Sequence, residues 1–183
     1  VKTAMGEVTI TERDDRPSWG ALYWQYFDRM DRVTPPDLGG GSSPFHLTRQ
    51  MMLERSGARG PELVELATGV AVRPGDKVVV RLVLRTDRPL DFVHVKDLRA
   101  AGLEPVDALS GHRYQSGLGY YQSIRDAAMD LFIDRLPAGT HVFSYAMHAT
   151  HAGDFSQGIA SATCMYAPEF GGHSEGSRVL VSE

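Results

Sequence analysis

The chain has 183 residues, a formal net charge of -4 and 42% hydrophobic residues, which is enough for one domain with its own hydrophobic core. It carries no basic run, which argues against nucleic acid as a partner. No apolar run approaches the roughly 20 residues of a membrane helix, so we expect no direct membrane insertion. The single cysteine excludes an internal disulfide bond.

The first 44 residues combine one strand pattern with two less regular segments. Polar and β-branched residues alternate over residues 7–13, which predicts a half-buried strand. Residues 19–33 approach helical spacing, but their aromatic density favours a strand in the first half. The tract 34–44 is rich in Pro, Gly and Ser, which predicts a mobile loop. The sequence shows no initiator Met and no signal peptide, so we expect a mature product or a fragment.

The middle of the chain carries the clearest alternation. Residues 77–85 place Val78, Val80, Leu82 and Leu84 on one apolar face, which predicts a strand. A turn over residues 74–76 predicts that residues 70–73 pair with this strand as a hairpin. Residues 51–55 and 90–97 are two further strand candidates.

The C-terminal half continues the rhythm of short strands. Residues 110–119 hold three glycines and polar side chains, which predicts a second mobile loop. Residues 124–136 fit either a helix face or a strand alternation, whereas 141–150, 160–166 and 178–181 read as strands. Strands that recur every ten to fifteen residues with turns between them predict an all-β fold with little or no helix. We expect one antiparallel β-sandwich domain over residues 1–183.

Two motifs near the C-terminus suggest a reactive centre, but neither is complete. Gly172–Gly176 matches G-x-S-x-G, which needs a following helix and later Asp and His residues, and too few residues remain for them. We interpret it as a flexible polar loop. Cys164 shares a strand face with Ala160, Ala162 and Tyr166, which predicts a buried, unreactive thiol.

The remaining polar and aromatic candidates also have structural interpretations. His148 and His151, with His141 and Asp154 nearby, resemble a metal cluster, but alternation places the first two on opposite faces, which favours solvent-facing side chains. Tyr120 and Tyr121 adjoin a glycine-rich loop. They could bind a sugar or a partner protein, but packing in the core or at a sheet edge is the favoured interpretation. The scattered acids are interpreted as capping or solvated groups: Asp76, Asp87, Asp91, Asp97, Asp126, Asp130, Asp134 and Glu169.

Five sequence runs, taken in order, resemble one known family. They are WGALYWQY at 19–26, VRPGDKV at 72–78, VKD at 95–97 with AGLEP at 101–105, RD at 125–126 with FIDRLPAGT at 132–140, and AGDF at 152–155 leading to MYAPEF at 165–170. This order resembles the C-terminal, MG10-like macroglobulin domain of bacterial alpha-2-macroglobulin proteins. The resemblance spans nearly the whole chain.

The resemblance implies a macroglobulin β-sandwich in which both ambiguous segments are strands. It implies that the chain is a C-terminal fragment of a much longer protease inhibitor of the bacterial cell envelope, either periplasmic or anchored to the outer membrane. The domain itself would be non-enzymatic and would use neither a cofactor nor a metal. Its partners would be other domains of the same polypeptide and, through the parent protein, target proteases.

Some members of this family contain an internal thioester in a C-x-E-Q motif, which this chain lacks, since Met165 and Tyr166 follow Cys164. In such relatives a tyrosine of the last domain shields the thioester from water. The resemblance makes Tyr166 the leading candidate for this role, with Tyr120 and Tyr121 as rivals. Packing of Tyr166 against the Pro168 turn is the structural alternative. A stand-alone carbohydrate- or peptide-binding sandwich is the alternative function, and a hydrolase or zinc enzyme is the third.

Overall fold

The computed structural model describes residues 9, 11, 17, 19–20, 27, 29–33, 44–66 and 70–183. Within these ranges the chain is almost entirely antiparallel β-structure, as predicted, with a short 3-10 helix at Met30–Arg32. Most of the strand predicted at residues 7–13, most of the segment at 19–33 and residues 34–43 of the loop predicted at 34–44 lie outside the described residues. Among the described residues there is no helix long and apolar enough to cross a membrane.

Thirteen strands are described, and they belong to three antiparallel sheets. In order they are β1 Phe45–Gly57, β2 Gly60–Glu65, β3 Lys77–Thr86, β4 Leu90–Leu98, β5 Leu103–Pro105, β6 Gly111–Gln115, β7 Leu118–Ile124, β8 Ala128–Leu136, β9 Gly139–Ala149, β10 Gly153–Gly158, β11 Ala160–Cys164, β12 Ala167–His173 and β13 Ser177–Val181.

Two antiparallel sheets enclose the hydrophobic core. One has the strand order β2-β1-β3-β9-β5, and the other has the order β12-β11-β4-β8-β7-β6. A separate two-stranded sheet joins β10 to β13. Buried side chains of both large sheets form one cluster, to which β3 contributes Val78, Val80, Leu82 and Leu84. Each buried Val or Leu stabilises the fold by about 1.5–3 kcal/mol relative to an exposed one.

The predicted hairpin between residues 70–73 and β3 is wrong. β3 pairs with β1 on one side and β9 on the other, while Val72 forms an isolated parallel bridge with Val181. The intervening turn does form, because the Arg73 amide donates to the Asp76 carboxylate and Gly75 adopts a φ of 93°. The longer strands β1 and β9 occupy both edges of β3, so none remains for residues 70–73.

Residues 110–119 are not an irregular loop, because they contain β6 and the start of β7. Ser116 and Gly117 form the turn between these strands with φ values of 52° and 74°, a conformation that suits the twist of a tight hairpin. The Gln115 amide exchanges two hydrogen bonds with the backbone of Ser144, and Ser116 donates to the Val142 carbonyl. The hairpin tip therefore caps the open edge of β9.

The other predicted strands are present, some with different lengths. Residues 51–55 belong to the much longer β1, and the ambiguous segment 124–136 contains the strand β8, as the resemblance implies. Four further predictions agree with the structure, and both ends of each strand differ from it by no more than two residues. They are the strands predicted at 90–97, 141–150, 160–166 and 178–181, which correspond to β4, β9, β11 and β13. Alternation therefore located most strands but not their partners.

A buried ion pair connects the two large sheets. Arg49 on β1 donates to the carboxylate of Asp97 on β4 at 2.8 Å, and the two side chains are only 2% and 0% exposed. Tyr145 on β9 donates to the other Asp97 oxygen at 2.6 Å. Arg49 also donates to the Gly158 carbonyl and to the Ser177 hydroxyl. Burial raises the pKa of Asp97, while the charge of Arg49 and the donated hydrogen bonds oppose that shift.

We expect Asp97→Asn to lower the free energy of unfolding by about 3–5 kcal/mol, because it leaves the Arg49 guanidinium buried without its counter-ion. Urea denaturation of the chain measures the loss. The matched control is Lys77→Gln, which breaks the half-exposed pair between Lys77 and Glu54 and should cost below about 1 kcal/mol. A loss for Asp97→Asn as small as that of the control would contradict the prediction.

We also expect the chain to lose stability in alkali because of Tyr145. Burial, with the neighbouring Asp97 charge, raises the pKa of this phenol well above its usual value. The unfolded chain therefore releases the proton above about pH 10 while the folded chain keeps it, so stability falls by about 1.4 kcal/mol per pH unit. Denaturation between neutral and alkaline pH tests this. Tyr145→Phe should make that slope shallower, whereas Tyr114→Phe, at a 75% exposed site, should leave it unchanged.

Candidate functional site

The turn between β11 and β12 consists of Met165 and Tyr166. β11 ends at Cys164 and β12 begins at Ala167, and the register between the two strands shifts at Cys164. The Met165 amide donates to the carbonyl of Phe92 on β4 at 2.9 Å. The turn is therefore attached to the neighbouring strand of the six-stranded sheet.

Three apolar side chains form an exposed cluster at this turn, which we call the tip cluster: Phe92, Met165 and Tyr166. They are 48%, 53% and 81% exposed, respectively. The rings of Phe92 and Tyr166 meet edge to face, with centroids 5.1 Å apart and planes at 86°. Such a pair stabilises by about 0.5–1.5 kcal/mol beyond the area that it buries. The Phe92 ring thus favours one position of the Tyr166 ring.

Phe92 has a φ of 53°, in the left-handed region that non-glycine residues seldom occupy. The burial pattern explains why the chain bends here. Val93, Val95 and Leu90 are all buried, although regular alternation cannot place residues 90 and 93 on the same face. The strained backbone at Phe92 interrupts the alternation of side chains between the two faces of β4. As a result Leu90 lies in the core on the same side as Val93, and Phe92 lies outside.

Two carboxylates lie close to the tip cluster. Burial raises the pKa of the Cys164 thiol beneath the turn, and the negative charges of Glu169 and Asp91 raise it further. Both acids are exposed, and neither forms an ion pair with another described residue. The tip therefore combines an apolar centre with an acidic rim.

The other two tyrosine candidates lie elsewhere. Tyr120 on β7 is only 4% exposed and packs edge to face on Phe143, with ring centroids 5.1 Å apart. Tyr121 points to the opposite face, is 40% exposed and contacts His112. In the six-stranded sheet, β4 and β8 separate β7 from β11. The structure therefore does not bring the three tyrosines together, and among them Tyr166 presents the most ring surface.

The G-x-S-x-G sequence does not form an exposed nucleophile. Ser174 is 1% exposed, and its hydroxyl accepts a hydrogen bond from the Ala160 amide and donates one to the Glu175 carbonyl. The interpretation as a flexible loop was also incomplete, because β12 extends to His173. Cys164 is 4% exposed, which confirms the predicted burial of the thiol.

The histidine candidates are dispersed. His148 and His151 are exposed, as predicted, but His141 is nearly buried, with its Nε2 2.9 Å from the Pro137 carbonyl oxygen. Among the described residues no three potential metal ligands come together. Of the acids, Asp76 caps a turn as expected, whereas Asp97 lies in the buried ion pair, which sequence reasoning missed.

Phe92 was not singled out from the sequence, although a signal for it exists. Leu90 and Val93 are both apolar and three residues apart, whereas Val93 and Val95 fit the alternation. Residues on one face of a strand are an even number of positions apart, so two core residues three positions apart indicate a break in the strand between them. Phe92 lies at that break. The contact between Phe92 and Tyr166 joins residues 74 positions apart, and no local pattern predicts it.

Comparison with known proteins identifies the family. The family model for the bacterial alpha-2-macroglobulin MG10 domain matches residues 45–169. An alpha-2-macroglobulin homolog of Nostoc sp. is 30% identical over 112 residues, covering 57% of this chain and 6% of the homolog. The circularly permutated Ras protein 2 of Dictyostelium discoideum is 27% identical over 116 residues, covering 63% of this chain and 3% of that protein. The chain thus spans a small part of either relative.

Solved structures agree on the fold. A tyrosine-to-glycine mutant of Salmonella alpha-2-macroglobulin superposes with a TM-score of 0.62 at 20% identity, covering 83% of this chain and 10% of that one. Native Escherichia coli alpha-2-macroglobulin, from domain MG7 to the C-terminus, gives a TM-score of 0.59 at 16% identity, covering 76% and 24%. Because the family model covers more than half of the sequence, the chain belongs to the bacterial alpha-2-macroglobulin MG10 domain family.

Proposed function

We propose that this chain is the non-enzymatic terminal domain of a bacterial alpha-2-macroglobulin-like protease inhibitor and that its tip cluster docks on a neighbouring domain of the same polypeptide. The observation that carries the proposal is the Tyr166 ring, which is 81% exposed and yet supported by Phe92. The parent protein would act on target proteases in the bacterial cell envelope, either in the periplasm or from an outer-membrane anchor.

The geometry suits docking because the exposed side chains are already held in place. The hydrogen bond from the Met165 amide to Phe92 restrains the turn, and the edge-to-face contact restrains the Tyr166 ring. Ordering a side chain on binding costs about 0.5–1.5 kcal/mol, and a supported ring avoids part of that loss. Fully burying a large apolar side chain contributes about 1.5–3 kcal/mol in return.

A parent with C-x-E-Q in an upstream domain would give the docked ring a chemical role. Water hydrolyses a thioester by attacking its carbonyl carbon, which releases a free thiol and leaves a carboxylate. A tyrosine ring packed over the bond excludes that water, so the thioester persists until the domains separate. The alternative function, carbohydrate binding by the rings of Tyr120 and Tyr121, is less well supported because Tyr120 is buried and only Tyr121 is accessible.

We expect the Tyr166 ring to be protected in the full-length parent. Hydroxyl-radical footprinting should modify Tyr166 about tenfold more slowly in the parent than in this chain alone, because the docked ring is covered. Tyr114, which is 75% exposed and distant in the chain, serves as the internal reference. Equal modification of Tyr166 in both proteins would refute docking.

In a parent that contains the thioester, we expect Tyr166→Gly to accelerate release of the free thiol at least about tenfold, which corresponds to about 1.4 kcal/mol of lost protection. Thiol titration over time measures this release. Tyr121→Gly is the matched control, since it removes a partly exposed tyrosine from another strand of the same sheet. If both variants released thiol at the wild-type rate, Tyr166 would have no shielding role.

A further inference from the structure

We propose that the tip cluster fits an apolar pocket rimmed by basic side chains on the neighbouring domain. This inference rests on the docking proposed above and adds the chemistry of the partner surface. Two groups of residues carry it. The apolar centre is the tip cluster itself, and the acidic rim consists of Asp91, Glu169 and Asp134.

The three acids of the rim lie on three different strands, on both sides of the tip cluster. Asp91 immediately precedes Phe92 on β4, and Glu169 lies on β12 just after the turn. Asp134 lies on β8 between the residues that pair with Asp91 and Val93, and all three acids are exposed. The nearest cation in the strand register is Arg135, opposite Asp91. Three carboxylates against one guanidinium leave the rim negative.

Docking removes water from this rim, and the loss of hydration requires compensation. A carboxylate buried without a partner is strongly destabilising, whereas a cation on the opposing surface offsets the lost hydration by direct attraction. Asp91 and Glu169 have no ion-pair partner among the described residues, so cations must come from the opposing surface. A neutral or acidic surface would be rejected.

The same charges argue against a second copy of this chain as the occupant. A two-fold contact through the tip cluster would place the same patch on both sides of the interface, and the acidic rims would then face each other. A different domain of a longer polypeptide avoids that repulsion. This chain covers 24% of the Escherichia coli structure that begins at domain MG7, and 10% of the Salmonella structure, so such relatives contain further domains.

Salt-dependent footprinting of the full-length parent tests the inference. If basic groups face the rim, raising the salt concentration screens the attraction, and oxidation of Met165 and Tyr166 should rise about tenfold relative to Tyr114. The double variant Asp91→Asn with Glu169→Gln should already show that increase at low salt and should respond little to added salt. Asp126→Asn is the control, because it removes an exposed charge from the turn before β8, at the opposite end of that strand.

The outcomes separate this inference from the docking itself. Protection of Tyr166 that neither salt nor the double variant changes would overturn the basic rim and leave docking intact. Absence of protection in the wild-type parent at low salt would overturn both. An effect of Asp126→Asn equal to that of the double variant would show that net charge alone matters, which would also overturn a specific rim. The wild-type salt response needs no variant, so the test survives if the double variant fails to fold.

Discussion

The ion pair between Arg49 and Asp97 is the constraint that positions the rest of the molecule. Each ion loses several kcal/mol of hydration on burial, so neither is stable there without the other. Arginine cannot deprotonate to escape this cost, and Asp97 must therefore lie within reach of β1. Because Tyr145 binds the second carboxylate oxygen, the pair fixes β1, β4 and β9 relative to one another.

β4 connects the buried ion pair to the tip cluster, because it contains both Asp97 and Phe92. Asp97 and Phe92 lie five residues apart on the strand, roughly 17 Å at the usual rise of a β-strand. β11 pairs with β4 over the same interval, from Ala160 opposite Asp97 to Cys164 opposite Val93. The buried side chains of β11 are small: Ala160, Ala162 and Cys164. The turn that holds Tyr166 therefore extends from a strand that is fixed along its whole length.

Alternation in the sequence predicts which residues of a strand face the core, but it carries no information about pairing. It located β3 and its apolar face correctly, whereas the partner assigned at residues 70–73 was wrong, because β1 and β9 compete for the same edges. Composition misled at residues 110–119 and 172–173, where glycines at a turn and on an edge strand resemble loop sequence. The helix-or-strand ambiguity of residues 124–136 was resolved by the family resemblance, not by periodicity.

The candidate site was only half predictable for a related reason. The family resemblance favoured Tyr166 over Tyr120 and Tyr121, but no local pattern in the sequence reveals which side chain is supported from another strand. That support comes from Phe92, whose left-handed backbone costs of the order of 1–3 kcal/mol. Burial of Leu90 and Leu136, which pair across β4 and β8, offsets this cost, because the break in the alternation brings both into the core. Core packing thus holds Phe92 outward, and the exposed ring of Tyr166 depends on that packing.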